Sequence, residues 1–371
     1  MKILELTNYS AGGCGVFARV KQEAQLLVER GHEVMIMSSY FEKGTNKIMP
    51  LEDKLGNIKI RRFPASKIGG ESFMSWHFEK EAEEFRPDVI IAHGYRHPHT
   101  TRALCLKKKI DCKVFLVTHA PFARDRRSIF GKIAVGFYDF YVGKKTINNF
   151  DKIFAITYWE YLYLNKLKVK EDKIEYVPNG IAKEYFSKVS KKRDKRILYS
   201  GRIAPIKNLE VVVKSLKNVK DKKIKFYILG PAEKEYLEKL QRIITQNSLN
   251  ERIKIISEKY DRPQHIKELD KSSIFILPSF SEGMSQSLIE AMARECIVIG
   301  SDNFGNADLI KDEDNGFLFK NDDENDLTKV IDEILNMDDK EILIIRKNAR
   351  ESVEKFRWSN IIDKLERLIR V

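Results

Sequence analysis

The chain runs to 371 residues, 43% of them hydrophobic and 33% charged, with a formal net charge of +13. Such a hydrophobic share builds packed cores, so an intrinsically disordered chain is excluded, and no apolar run approaches the roughly 18–20 residues of a membrane-spanning helix. The four cysteines (Cys14, Cys105, Cys112, Cys296) include no Cys-x-x-Cys pair and no His at zinc-ligand spacing, which leaves them as small buried hydrophobes in a reducing, cytoplasmic setting.

Strand-like apolar runs fall at 3–6, 33–37, 58–62, 89–92, 114–118, 153–156 and 174–177. Helical spacing lies between several of them, as over 18–29 and 76–84, with Gly31 as a stop signal after the former. Alternation of this kind belongs to α/β folds built on parallel sheets. Glu5 interrupts the first run, so the opening segment reads as a strand and not as a secretory leader. Gly12-Gly13-Cys14-Gly15 follows that strand and opens a helix, where glycines let backbone approach a phosphate or sugar closely. Gly13-x-Gly15-x-x-Ala18 also meets a loose dinucleotide-binding pattern. That pattern wants an acidic residue at the end of the second strand; Ser38-Ser39 stand there instead, which argues against a nicotinamide cofactor.

His93, His97 and His99 cluster behind the 89–92 run, and His119 follows the 114–118 run. Ligands of open α/β sheets bind beyond the carboxyl ends of strands, which favours His119, and His93 among the other three. A basic, aromatic stretch comes next, from Arg124, Arg126 and Arg127 to Phe137-Tyr138-Asp139-Phe140-Tyr141. It suits an anionic membrane surface or a charged acceptor, and equally a solvated basic face over a core helix. Residues 1–190 hold 32 Lys/Arg and 22 Asp/Glu, a net of +10, so most of the charge excess lies in this half and predicts an anionic partner for it.

The Ser/Lys/Arg-rich segment 187–195 predicts a linker. A second series of strands follows at 197–200, 225–229, 253–256, 274–277, 297–299 and 317–319. Arg202 and Lys207 occupy its first strand-to-helix loop, where two cations five apart could hold a diphosphate or simply be exposed loop charges. Gly230 and the pair Lys259-Tyr260 follow the next two strands. The 274–277 strand stops at Pro278, and helical spacing sets in from about Ser285, with Glu282 in the loop and Glu290 inside the helix. Eight helical residues rise roughly 12 Å, beyond the ~5–9.5 Å of hydrolytic carboxylate pairs. The helix N-terminus between the two carboxylates attracts phosphate. The layout suits a nucleotide-sugar, with hydroxyls at both ends and a diphosphate between; an ordinary N-terminal Glu followed by a solvated helix Glu would share the spacing.

Glu282-x7-Glu290 followed by Ala291-Met292-Ala293 resembles the signature of retaining glycosyltransferases of family 4, which have the two-domain GT-B fold. Four further segments fit that family in order: Gly12-Gly13; Val177-Pro178-Asn179-Gly180-Ile181; Leu198-Tyr199-Ser200-Gly201-Arg202-Ile203 with Lys207-Asn208; and Asn315-Gly316-Phe317-Leu318. The resemblance spans almost the whole chain. It implies an α/β fold of two Rossmann-like domains facing across a cleft. The acceptor domain would cover 1–190, the donor domain 191–352, and a C-terminal helix over 353–371 would cross back to the first.

By resemblance, Glu282 contacts hydroxyls of the transferred sugar, Glu290 the ribose, Arg202 and Lys207 the departing diphosphate, and His119 the sugar. Gly12, Gly13, Asn179, Gly201, Gly230, Lys259, Tyr260, Gly283, Met284 and Ser285 would line the donor. His93, Arg124, Arg126 and Arg127 would serve the acceptor or a membrane. The family implies no cofactor and no metal, with a nucleotide-diphosphate sugar as substrate and a lipid-linked molecule or polysaccharide as the acceptor that the basic half favours. Such an enzyme would be cytoplasmic, in peripheral contact with an anionic membrane. Ser285, Glu295 and Ile297 depart from the family's usual Gly, Gly and Pro, which leaves donor preference open. A GT-B sugar-nucleotide epimerase or hydrolase would share the architecture. A nucleic-acid-binding protein would explain the basic excess but leave Glu282 and Glu290 without purpose.

Overall fold

The computed structural model describes residues 1–45, 47–67, 74–121, 129–190, 192–258 and 260–370. The chain forms two compact units, one of Met1–Asn179 with Ser359–Val371 and one of Gly180–Trp358.

In the first unit the strands are β1 (Lys2–Thr7), β2 (Glu33–Ser39), β3 (Glu52–Leu55), β4 (Ile58–Phe63), β5 (Ala65–Lys67), β6 (Met74–Trp76), β7 (Val89–His93), β8 (Lys113–Val117), β9 (Ile153–Ala155) and β10 (Ile174–Tyr176). Eight of them form one sheet in the order β10-β9-β8-β7-β1-β2-β4-β3, and β5 pairs with β6. The sheet is parallel except for β3, which runs antiparallel to β4 at the edge. Central strands of such a sheet are covered on both faces and therefore read as unbroken apolar runs, as Val89–His93 does with all five residues buried. The edge strand β3, Glu-Asp-Lys-Leu, has no apolar pattern to announce it, and its charges guard the sheet edge. Trp76, expected to begin a helix, lies instead on β6. It is fully buried against Phe63, Phe78 and His99, and the helix starts at Glu79. The helix Gly15–Glu29 ends at Gly31, whose φ of +83° accommodates the turn while its N–H bonds Val28.

The C-terminal helix Trp358–Arg370 contributes its residues from Ser359 onward to this unit. Arg30 reaches Glu366 at 2.8 Å and Asp363 at 2.5 Å, and His32 Nε2 lies 3.0 Å from Glu366.

The second unit holds β11 (Asp194–Ser200), β12 (Lys225–Leu229), β13 (Ile253–Ile256), β14 (Ser272–Leu277), β15 (Ile297–Ser301) and β16 (Phe317–Phe319), in the order β13-β12-β11-β14-β15-β16. Every pair is parallel. Its first and last residues meet: Ile181 bonds Phe356 and Trp358 through backbone, and a Cβ at Gly180 would stand 2.4 Å from the Trp358 ring. Both units are thus Rossmann-like α/β domains. Strand order reverses at β1/β7 in the first and at β11/β14 in the second, and ligands of such sheets bind outside the strand ends at these points.

Candidate active site

At the β11/β14 reversal the second unit places a cation against a carboxylate. Lys207, at the end of the turn Pro205–Lys207, meets Glu282 at 2.5 Å, with the two side chains 19% and 11% exposed. The two loops are tied together by Phe280 N–H donating to the Ile206 carbonyl. Behind Glu282, the Ser301 hydroxyl and the Asn303 amide both donate to the Ser279 carbonyl, and Asn303 also accepts from Gly305 and Asn306. Gly305 packs on the Glu282 loop so closely that a Cβ would stand 2.5 Å from the carbonyls of Glu282 and Gly283. Gly201 and Gly230 make a similar approach: a Cβ at Gly230, where φ is +132°, would lie 2.2 Å from the Gly201 carbonyl.

The helix Gln286–Ala293 starts beyond this loop at Ser285, whose side chain makes no capping bond to its first turn. An uncapped helix N-terminus is a place for phosphate oxygens. Glu290, further along the helix, faces Tyr185 and His265, with His265 Nδ1 at 3.6 Å and the Tyr185 hydroxyl 2.9 Å from that nitrogen. Burial pushes the Glu290 carboxyl up to about 8, and burial also draws His265 down to about 4.

The first unit forms a cavity of about 200 Å³ at its own reversal point, lined by Thr7, Asn8 and Tyr9 after β1, His93 to Tyr95 after β7, and His119 after β8. His119 and Ala120 both adopt left-handed backbone, with φ of +59° and +51°. Such strain persists only where surroundings hold it. Here the buried Glu160 does so, accepting N–H bonds from Ala120 at 2.9 Å, Ile156 at 2.7 Å and Thr157 at 3.1 Å. Beneath His119 lies His93, with Nδ1 2.9 Å from His119 Nε2; His93 Nε2 is 2.7 Å from the Glu5 carboxyl. Arg19 Nε bonds Glu23 at 3.0 Å alongside, and Glu5, Glu23, Arg19 and His93 are all at most 1% exposed.

Two descriptions of known protein families match this chain: Glycosyltransferase Family 4 over residues 14–185 and Glycosyl transferases group 1 over residues 181–352. The chain belongs to the family 4 glycosyltransferases. It is 26% identical over 353 residues to the GalNAc-alpha-(1->4)-GalNAc-alpha-(1->3)-diNAcBac-PP-undecaprenol alpha-1,4-N-acetyl-D-galactosaminyltransferase of Campylobacter jejuni, covering 91% of this chain and 90% of that protein. It is 26% identical to the Escherichia coli UDP-Gal:alpha-D-GlcNAc-diphosphoundecaprenol alpha-1,3-galactosyltransferase, over 76% of this chain and 74% of the relative. Among solved structures, sucrose-phosphate synthase from Thermosynechococcus elongatus shares the GT-B fold, with a TM-score of 0.80 at 17% identity, covering 100% of this chain and 98% of that one.

In this glycosyltransferase the expected residues fall into distinct settings. Lys207, Glu282, Gly283, Met284 and Ser285 gather at the second unit's reversal point, with Gly201 and Gly230 at the ends of β11 and β12. Arg202 stands apart from Lys207 on the surface, 55% exposed and paired with Glu233 at 2.9 Å. Tyr260 is half-buried after β13, and Lys259 lies outside the described residues. Gly12 takes φ +83° and packs against the Lys43 backbone, where a Cβ would meet the carbonyl at 2.5 Å; Gly13 is exposed. Asn179 is buried and accepts from Arg19 at 3.2 Å.

His93, expected at an acceptor, is 1% exposed at the cavity wall, with its two ring nitrogens taken by Glu5 and His119. Arg124, Arg126 and Arg127 lie outside the described residues. The helix that follows them, Ile129–Tyr138, continues as a π-helical turn over Asp139–Gly143. It is anchored where Arg96 bonds Asp139 at 2.8 and 2.7 Å. Phe130, Ile133, Phe137, Phe140 and Tyr141 are each more than half exposed.

Three features of the candidate site escaped sequence reasoning: Glu160 under the His119 loop, Gly305 behind Glu282, and Glu5 beneath His93. Their partners lie 40, 23 and 88 positions away. Only Glu5 left a signal, a lone carboxylate inside an apolar strand. Glu5, Glu23 and His93 also bring ligand atoms within 4.8 Å of one another, as a metal site would. Arg19 stands at the same carboxylates and already supplies the opposing positive charge.

Proposed function

We propose that this enzyme is a retaining hexosyltransferase that takes its sugar from a nucleotide-diphosphate donor. The observation that carries the reading is the Lys207–Glu282 pair beside the uncapped N-terminus of Gln286–Ala293, with Glu290 further along that helix. The helix N-terminus and Lys207 receive the diphosphate, Glu282 the sugar hydroxyls and Glu290 the ribose diol. Arg202 exchanges Glu233 for a phosphate oxygen, a small loss because exposed ion pairs contribute about 0–1 kcal/mol. As the bond from the anomeric carbon to the phosphate breaks, negative charge grows on the diphosphate, and the fixed cation and helix dipole stabilise it. The acceptor hydroxyl bonds the anomeric carbon on the face the phosphate leaves, and its proton passes to the departing phosphate. No metal ion or cofactor enters this scheme. Within the first unit, His119 lines the cavity that receives a sugar hydroxyl.

The two relatives are named for undecaprenyl-diphosphate-linked acceptors, which supports a lipid-linked acceptor here. The exposed apolar side chains of Ile129–Tyr138 and its continuation, with Lys132 and Lys145 exposed on the same segment, support peripheral contact with an anionic membrane from the cytoplasmic side. Among the described residues, no helix is long and apolar enough to cross a membrane.

Thermal shift against UDP-, GDP- and ADP-sugars tests the donor, since a ligand that binds only the folded state raises the melting temperature with its affinity. A UDP-sugar comes first, because the E. coli relative is named for UDP-Gal. The expected result is stabilisation of the wild type by one donor and a much smaller shift for Lys207→Ala. Equal shifts in both proteins, or none with any donor, would overturn the proposed donor site.

A further inference from the structure

The stack Glu5–His93–His119 is continuous from a central strand to the cavity wall, and each link is at hydrogen-bonding distance, 2.7 Å and then 2.9 Å. We propose that Glu5 is a positioning residue: through His93 it sets which ring nitrogen of His119 carries the proton, and so whether His119 offers a donor or an acceptor at Nδ1. The catalytic consequence rests on the reading that the first unit's cavity receives a sugar hydroxyl at His119; the tautomer linkage does not.

Each neutral imidazole has one N–H and one lone pair, and a hydrogen bond needs one of each. With Glu5 protonated, its O–H donates to His93 Nε2. His93 must then carry its proton on Nδ1 and donate to His119 Nε2, which leaves His119 with Nδ1–H. With Glu5 ionised every polarity reverses. The Glu5 proton moves to His93 Nε2, the His93 Nδ1 proton moves to His119 Nε2, and the His119 Nδ1 proton leaves to solvent. One proton is lost in all, and His119 Nδ1 becomes a lone pair.

The groups that face this chain are few. Arg19 and Glu23, from the helix Gly15–Glu29, and His93, from β7, face Glu5; His93, His97 and Arg19 face His119. Burial raises Glu5 to about 8, with Arg19 opposing, while burial lowers His93 to about 3 and His119 well below the usual imidazole range. Both imidazoles are therefore neutral near neutral pH, as the relay requires, and Glu5 is the member whose proton is exchangeable. A sugar hydroxyl both donates and accepts, so the Nδ1 donor state orders it as an acceptor towards His119 and frees its own proton for another partner.

The test is the ring-nitrogen spectrum of the full chain labelled with ¹⁵N-histidine, in which two-bond couplings distinguish the tautomers, with His119 assigned from His119→Gln. For wild type, His119 is expected as Nδ1–H at about pH 6.5 and increasingly as Nε2–H towards about pH 9.5. In Glu5→Gln the tautomer should be independent of pH over this interval, because Gln cannot ionise; Glu5→Leu, if it folds, should also lose the dependence. A wild-type tautomer that does not respond to pH would overturn the proposal. So would an unchanged response in folded Glu5→Gln. No ligand is present in these spectra, so failure of the donor reading leaves their outcome intact, and turnover by His119→Ala tests that reading separately.

Discussion

Glu290 illustrates how one largely buried carboxyl couples stability to pH. Its side chain is 19% exposed, and burial raises its pKa to about 8 against 4.5 in an open chain. Between those values the unfolded chain has lost the proton that the folded chain keeps, so stability falls as pH rises from about 4.5 to about 8. Glu5 acts with the same sign. Glu290→Gln should therefore flatten part of this slope, which urea denaturation of both proteins at about pH 5 and pH 8 would reveal; parallel slopes would refute it. The carboxyl at this position was legible from its spacing to Glu282, but its environment was not. Tyr185 and His265 come from 105 and 25 positions away. The same blindness hid the charged cluster beside Glu5, for Arg19 and Glu23 at (i, i+4) look like a solvated helix pair and are in fact fully buried.

At the scale of elements, the strands were legible wherever both faces are covered, because burial demands an apolar run and leaves a visible one. Edges and short pairs escaped: β3 is charged and exposed, and β5 and β6 have three residues each. The loops that shape the site were least legible. The His119 turn depends on Glu160, which satisfies three backbone donors at once, and leaving such groups unpaired costs about 1–3 kcal/mol apiece. The helix Ile129–Tyr138 makes the opposite case, since its apolar side chains are plain in the sequence but turn outward. Phe137→Ser with Phe140→Ser should leave the melting temperature nearly unchanged, both rings being mainly exposed. It should weaken co-sedimentation with vesicles of anionic phospholipid roughly tenfold or more. Undiminished sedimentation would remove this face from the membrane reading.

For the whole molecule, the decisive feature is that one compact unit is interrupted by the other. The last helix joins the first unit through Glu366, whose carboxyl is held down to about 2 by hydrogen bonds from Arg370, Arg30 and His32. A carboxyl depressed in the folded state stabilises above its open-chain value, and that contribution disappears as pH falls through its folded value. Glu366→Gln should accordingly be less stable than wild type at neutral pH, with the difference shrinking between about pH 4.5 and pH 2. A difference that persists undiminished at the acid end would assign the loss to packing instead. The C-terminal helix itself was expected from the family resemblance, whereas its ion pairs to Arg30 and His32 span more than 330 positions and left no local mark.

That interruption sets an order of assembly on the ribosome. Domains commonly complete from the N-terminus as synthesis proceeds. Here Ser359–Val371 pack with the domain formed by Met1–Asn179, and all of Gly180–Trp358 is made in between. The half of the chain that emerges first is therefore the half finished last. The nascent first domain, lacking its final helix, must wait with the surface around Arg30 and His32 uncovered while the second folds to completion.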